Sequence, residues 1–172
     1  IEPGRGRKRP RSLIVNTAAV LTISDSSFQG KREDLSGPAV VKALTTAGFQ
    51  ISHTAVIPDE RGEIEKKLVA CCGLARLVVT VGGTGLAPRD VTPEATLAVA
   101  ERIVPGIPEK MRAEGLLKTP MAMLSRGVCG IRGETLILNL PGSPRAAVDS
   151  LHAVINLLPH ALELLGGKTE HS

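Results

Sequence analysis

Aromatic side chains are almost absent from this sequence, which contains Phe28 and Phe49 and no tyrosine or tryptophan. Proteins that bind single-stranded nucleic acid stack the bases on such rings, so this absence argues against that class of protein. The sequence also lacks an apolar run near the roughly 20 residues that span a bilayer, and it shows no signal-peptide segment. We therefore expect no nucleic-acid partner, no membrane segment and a cytoplasmic location.

Cysteine is also scarce, with Cys71, Cys72 and Cys129 as its only occurrences. The number is odd and the spacing matches no metal-binding motif, which argues against a disulfide framework and a zinc site. The four histidines show no metal-ligand spacing either. We interpret the cysteines as small buried hydrophobic residues of a protein in a reducing compartment.

The excess positive charge is confined to the start of the sequence. The formal net charge is +4, but residues 1–11 contain five basic residues and one acidic residue, which leaves 16 of each sign in the rest. The stretch PGRGRKRPR has almost no apolar residues and predicts a basic, disordered extension over residues 1–15. An arm that binds RNA or DNA is the alternative. Residues 16–172 have the length and apolar content of one globular domain.

Apolar runs rich in β-branched residues alternate with segments of helical spacing. The runs predict strands at 16–24, 49–57, 75–81 and 134–140, and the intervening segments predict helices at 37–48, 61–73, 93–106 and 146–167. Pro159 lies inside the last helical segment and predicts either a kink or a second helix. The alternation predicts an α/β fold, a three-layer αβα sandwich with a mostly parallel sheet.

Each predicted strand runs into polar or glycine residues at its C-terminal end. The first strand runs into SDSS, with Asp25, and the second into PDE, with Asp59. The third runs into GGTG, with Asp90 after it, and the fourth into PGSP. The carboxyl ends of parallel strands meet at one edge of the sheet, where ligands of α/β proteins bind. These residues therefore predict one shared site.

The glycine-rich stretch after the third strand is typical of an anion site. Gly82, Gly83 and Gly85 permit a positive φ and a close approach of ligand to backbone, and Thr84 adds a hydroxyl donor. Thr92 is an expected helix N-cap with a proline next, which places a positive helix dipole end nearby. The motif matches neither a Walker loop nor the dinucleotide fingerprint. A tight turn without a ligand is the alternative.

The three aspartates each allow two interpretations. A carboxylate beside an anion site suggests a bridging cation, so Asp90 predicts Mg²⁺ between protein and phosphate; a residue at the start of a helix is the alternative. Asp59 is equally suited to cap the following helix, and Asp25 to bind the amides of its own loop. Together with a phosphate cradle, the three carboxylates fit metal-assisted phosphoryl or nucleotidyl transfer.

The PGSP stretch and the segment before the fourth strand complete the predicted site. Ser143 is an expected N-cap followed by a first-turn proline, so a second helix N-terminus would face the same crevice. A plain connection is the alternative. The stretch MAMLSRGVCGIRGE offers Ser125, Arg126 and Arg132. The two arginines suit either contact with an anion or a solvated surface.

Several of these stretches resemble the molybdenum cofactor biosynthesis proteins of the molybdopterin adenylyltransferase type. They are LTISDS, DLSGPAV, VIPDE, VVTVGGTGLAPRDVTPEAT and PMAMLSRGVCGIRGETLILNLPGSP, and the resemblance spans residues 20–165. It implies a molybdopterin-binding-domain fold over residues 16–172 that assembles as a homotrimer. It also implies transfer of AMP from ATP to the terminal phosphate of molybdopterin with a divalent cation, Mg²⁺, and release of pyrophosphate. A molybdate-inserting enzyme would act downstream.

The resemblance also assigns roles to individual residues. Catalysis and metal binding fall on Asp59 and Asp90. With Asp25 added from its position, the substrate-binding residues are Asp25, Gly82, Gly83, Thr84, Gly85, Ser125, Pro141, Gly142 and Ser143. The alternative function is a non-catalytic trimeric carrier or scaffold for molybdopterin. The presence of both Asp59 and Asp90 argues against it, because a carrier has no need of two metal carboxylates.

Overall fold

The computed structural model describes residues 15–167. Apart from Val15, the predicted basic extension lies outside the described residues, as do the last five residues. Within the described range the strands are β1 (Thr17–Ile23), β2 (Gln50–Ile57), β3 (Leu77–Val81), β4 (Arg102–Ile103), β5 (Cys129–Arg132) and β6 (Thr135–Leu140). The helices are α1 (Asp25–Phe28), α2 (Ser36–Thr46), α3 (Arg61–Cys72), α4 (Thr92–Val99), α5 (Gly106–Leu116), α6 (Pro144–His152) and α7 (Leu158–Leu165), with a 3₁₀ helix at Pro120–Leu124.

The strands form one mixed sheet in the order β2-β1-β3-β6-β5-β4. The four predicted strands, β1, β2, β3 and β6, run parallel, whereas β5 runs antiparallel to both β6 and β4. The mostly parallel α/β sheet is therefore confirmed. The sequence did not reveal β4 and β5, because two and four residues are too few to show a periodic pattern.

Helices cover both faces of this sheet. One face packs against α2, α5, α6 and α7, and the opposite face packs against α3 and α4. Alternation within β1 shows the division, because Ala18 and Val20 join the first core whereas Ala19 and Leu21 join the second. The predicted three-layer sandwich is confirmed.

Two predicted helices have different limits in the structure. The helix predicted at 93–106 ends at Val99, because the N–H groups of Glu101 and Val104 donate to backbone carbonyls of the β5 strand. The segment predicted at 146–167 forms two helices, and Pro159 lies in the first turn of the second. Proline is tolerated in that turn because its missing N–H would have no partner within the helix.

Two of the three cysteines are buried, as the sequence predicts. Cys71 and Cys129 are buried, and Cys72 is half-buried. Burial raises the pKa of the Cys129 thiol to about 12, which keeps it protonated and unreactive at neutral pH.

Among residues 15–167, no helix has the length and apolar character needed to cross a membrane.

A buried polar network centred on Asn139 ties the sheet to α4. The Asn139 side chain, 1% exposed, donates to the hydroxyls of Thr80 and Thr96 at 3.0 and 2.9 Å. Its carbonyl oxygen accepts from the Val128 N–H at 3.1 Å. The same residue thus holds β3, β6, α4 and the chain just after Ser125 together, which fixes the position of that serine relative to the sheet.

Replacing Asn139 with alanine is expected to lower the free energy of unfolding by about 2–3 kcal/mol, because two buried hydroxyls and one backbone amide lose their partner. Urea denaturation measures the effect, and Asn156→Ala is the matched control because Asn156 is exposed. We expect the control to change stability by less than about 0.5 kcal/mol. Equal effects of the two substitutions would show that the network adds no stability.

Candidate active site

The carboxyl ends of the four parallel strands bring the predicted residues to one edge of the sheet. Asp25 follows β1, Asp59 follows β2, the glycine-rich loop at 82–85 follows β3, and residues 141–143 follow β6. Neighbouring strand ends are joined there, since Ser24 N–H donates to the Ile57 carbonyl and Gly82 N–H to the Leu140 carbonyl. The predicted clustering at one edge is confirmed.

Asp25 and Asp59 bind each other through a reciprocal pair of hydrogen bonds. The N–H of Asp25 donates to Oδ2 of Asp59 at 2.9 Å, and the N–H of Asp59 donates to Oδ1 of Asp25 at 3.0 Å. The carboxylates therefore hold the ends of β1 and β2 in fixed relation. The two alternative roles are therefore wrong. Asp59 does not cap α3, which has no side-chain cap. Asp25 does not bind the amides of its own loop, because the Ser27 N–H donates to the Ser24 hydroxyl instead.

Arg89 is the cation of this acidic cluster. Its Nε lies 2.5 Å from Oδ2 of Asp25, and its Nη2 lies 3.0 Å from Oδ1, which is a bidentate ion pair. The guanidinium lowers the pKa of the Asp25 carboxyl. Burial raises the pKa of Asp59, and the negative charges of Asp25 and Asp90 raise it further. The cluster therefore holds more negative charge than Arg89 neutralises.

The glycine loop needs its glycines for two different reasons. Gly82 and Gly83 have φ of +106° and +67°, which other residues rarely adopt, and a Cβ at Gly82 would collide with the Ile23 carbonyl oxygen. Gly85 differs from expectation in having no positive φ. A Cβ there would lie 2.8 Å from Oδ2 of Asp90, so a larger residue would displace that carboxylate.

The loop leaves backbone donors for a ligand. No residue of the described chain accepts a hydrogen bond from the N–H groups of Gly83, Thr84 or Gly85. Thr92 does not cap α4 as predicted; its hydroxyl donates to the Gly82 carbonyl at 3.0 Å and fixes the loop instead. Successive free amides on a fixed loop are suited to binding phosphate oxygens.

Asp90 and Arg126 hold the second half of the loop. Asp90 Oδ2 accepts from the Ala87 N–H at 3.0 Å and closes a turn before the helix, so Asp90 lies outside the first turn of α4. Arg126 donates to the carbonyls of Gly85 and Asp90 at 2.8 and 2.7 Å and pairs with Glu94. Arg126 is therefore engaged by the protein. Arg132 likewise donates to a carbonyl of α4, that of Val99.

A cavity of about 660 Å³ lies between α5, the 3₁₀ helix and α6. Three predicted substrate residues line it: Ser125, Pro141 and Ser143. The hydroxyl oxygen of Ser143 accepts from the Ala146 N–H, so the predicted N-cap of α6 is confirmed. The volume falls in the range of small-molecule sites.

Gly142 joins the cavity to the glycine loop. A Cβ at Gly142 would lie 3.4 Å from the Cα of Gly82, and the Gly142 carbonyl accepts from the Ser36 hydroxyl at 2.6 Å. The two backbones therefore lie within van der Waals contact of each other. A ligand in the cavity and an anion on the loop would therefore be neighbours.

Some residues of the site were not predicted from the sequence. Arg89 lay beside Asp90 in a motif already singled out, so its charge was a usable signal. Arg112, which holds the Gly127 carbonyl at 3.0 Å, and the cavity residues Lys118 and Asp149 lie in segments without a recognisable motif.

Comparison with known proteins identifies the family. Residues 19–160 match the family described as "Probable molybdopterin binding domain". The chain belongs to this family. A family member, the molybdopterin adenylyltransferase of Helicobacter pylori J99, is 43% identical over 152 residues, which are 86% of this chain and 86% of that protein.

Other members show the same fold and a larger context. The molybdopterin biosynthesis enzyme MoaB of Thermus thermophilus has 51% identity and a TM-score of 0.83, over 90% of this chain and 98% of that one. This confirms the molybdopterin-binding-domain fold. The Drosophila melanogaster molybdenum cofactor synthesis protein cinnamon is 43% identical over 87% of this chain, which spans only 26% of that longer protein.

Proposed function

We propose that this protein is a molybdopterin adenylyltransferase. It transfers AMP from ATP to the terminal phosphate of molybdopterin and releases pyrophosphate. The observation that carries the proposal is the close approach of Gly142 to Gly82. Pro141 and Ser143, on either side of Gly142, line a ligand-sized cavity, and Gly82 begins the loop whose free amides lie beside the carboxylates of Asp59 and Asp90. The curated relative of similar length bears the name of this activity.

The two substrates suit the two parts of the site. The cavity offers apolar side chains for a pterin ring, such as Met111 and Met121, and the hydroxyl groups of Ser125 and Ser143 for its polar atoms. The free amides of residues 83–85 bind phosphate groups, and the N-terminus of α6 adds its dipole. Asp25 contributes through the ion pair that holds Arg89 at the site.

Asp59 and Asp90 fit a magnesium ion shared with the nucleotide. Mg²⁺ binds proteins through one or two carboxylates and takes its remaining ligands from substrate phosphates and water. Residues 15–167 contain no group of three or more histidine, cysteine or acidic side chains able to hold a metal without such help. The excess negative charge around Asp59 favours a cation there. When bound, Mg²⁺ would supply positive charge to offset that of the phosphates.

The reaction requires positioning more than covalent participation by the protein. A terminal phosphate oxygen of molybdopterin forms a bond to the α-phosphorus of ATP. The bond from that phosphorus to the oxygen bridging to the β-phosphate breaks, and pyrophosphate leaves. The cavity holds the attacking phosphate, and the loop amides hold the nucleotide in line with it.

The proposal extends to the setting of the reaction. The protein acts in the cytoplasm as a homotrimer and passes adenylylated molybdopterin to a molybdate-inserting enzyme. Exposed apolar side chains support assembly with further copies, among them Leu86 and Leu117.

Pyrophosphate release from Mg-ATP tests the proposed activity. We expect at least a tenfold faster release with molybdopterin than without it, because the pterin phosphate is the attacking group. A parallel titration measures molybdopterin binding. Binding of the pterin without release would contradict the enzyme and identify a carrier.

A further inference from the structure

Arg89 is held differently from Arg126 and Arg112, which support the loops of the site. Its side chain is 60% exposed, and its hydrogen bonds within the described chain all go to the carboxylate of Asp25. Arg126 and Arg112, in contrast, are bound to backbone carbonyls of the loops that they support. Unlike Arg126 and Arg112, Arg89 can therefore leave its partner without breaking a contact to the backbone.

The ion pair between Arg89 and Asp25 is weak. Exposed ion pairs add little to stability, because water solvates both separated groups well. The nucleotide brings several negative charges into a cluster that already holds Asp25, Asp59 and Asp90. A guanidinium forms bidentate hydrogen bonds to phosphate as readily as to carboxylate. Little free energy is therefore lost when Arg89 leaves Asp25, and the phosphates that replace it carry more negative charge.

We propose that Arg89 exchanges Asp25 for the phosphate oxygens of ATP when the nucleotide binds. This inference rests on the proposed function, because it requires a nucleotide at this edge of the sheet. In the protein without nucleotide, Asp25 then binds Arg89 and keeps its guanidinium beside the glycine loop. The ion pair with Asp25 raises the pKa of Arg89 most, and the negative charges of Glu60 and Asp59 raise it further, as expected for a cation beside the acidic cluster.

Calorimetric binding of the non-hydrolysable analogue α,β-methylene-ATP, with Mg²⁺ present, tests the exchange without turnover. Arg89→Gln is expected to weaken binding about tenfold, because the phosphates lose a charged bidentate partner. Arg89→Lys keeps the charge without the fork and should lie between that variant and the original protein. Arg61→Gln is the matched control, because it removes an equally charged, 57% exposed side chain from another surface ion pair.

A second variant separates exchange from a merely structural ion pair. Asp25→Asn releases Arg89 from its partner in the free protein, so we expect about twofold or greater tightening of analogue binding. If Arg89 acted only by positioning Asp25, this variant would weaken binding as Arg89→Gln does. Circular dichroism and thermal midpoints verify that each variant is folded.

The outcomes distinguish this inference from the proposed function. Equal binding by Arg89→Gln and Arg61→Gln, in a protein that still releases pterin-dependent pyrophosphate, would overturn the role of Arg89 alone. Weakening by Asp25→Asn would also overturn it. Failure of the original protein to bind the analogue at all would overturn both proposals.

Discussion

Asp90→Asn is expected to lower kcat for pterin-dependent pyrophosphate release by about 100-fold, a change of about 2.7 kcal/mol in the activation barrier. Asparagine keeps the size of the side chain and an oxygen that can accept from the Ala87 N–H, so the turn remains closed. The change removes the negative charge proposed to hold the cation. Steady-state kinetics over a range of Mg²⁺ concentrations measure the loss.

We expect the loss of kcat to depend on where the removed carboxylate lies, and not only on the loss of one negative charge near the site. Glu60→Gln is the control, because Glu60 is an exposed acid directly beside Asp59. We expect less than a twofold change in kcat for this variant, and a loss for Asp59→Asn similar to that of Asp90→Asn. A small loss in Asp90→Asn, under about threefold, would show that the carboxylate takes no part in catalysis.

The second large effect is expected from Gly82→Ala. The substitution forces alanine to a φ of +106° and drives its Cβ into the carbonyl oxygen of Ile23, which belongs to β1 and has little freedom to move. We expect a loss of at least about 3 kcal/mol in the free energy of unfolding, since backbone strain and a backbone collision add. Urea denaturation measures it.

Gly48→Ala isolates the contribution of strain alone. Gly48 has a similar φ of +93°, but a Cβ there would meet nothing within 4 Å. The expected loss is about 1 kcal/mol. The difference between the two losses in unfolding free energy measures the cost of the collision. We expect loss of activity in Gly82→Ala and none in Gly48→Ala. Equal losses would mean that the loop shifts to accommodate the methyl group.

The sequence predicted the sheet well because its central strands are buried on both faces. The four parallel strands were each visible as apolar runs, and their order along the chain was enough to place Asp25, Asp59 and Asp90 at one edge. Short elements at the sheet margin were not visible. Arg102 and Ile103 form β4 only because β5 supplies the hydrogen-bond partners, which is information from tertiary structure.

Individual side-chain contacts were the least predictable part of the site. Thr92, Asp59 and Asp25 each had a reasonable local partner in the sequence, and each instead bonds to a distant residue of the fold. Ser143 was predicted correctly because an N-cap followed by proline is satisfied within one turn. Local rules thus succeeded where the interaction was local.

The antiparallel strand β5 has a consequence for how this protein can diversify. Because β5 is antiparallel to β6, the N-terminal end of β5 lies at the same edge of the sheet as the C-terminal ends of the parallel strands. The segment that precedes β5 therefore lies at that edge, together with the segments that follow the parallel strands. The acids and the glycine loop come from residues 25–90, whereas the cavity is lined by residues 108–127 and 141–153. Under the proposed function, nucleotide binding and recognition of the second substrate would therefore draw mostly on separate stretches. Substitutions or insertions before β5 would then change the cavity while the three acids and the glycine loop keep their sequence.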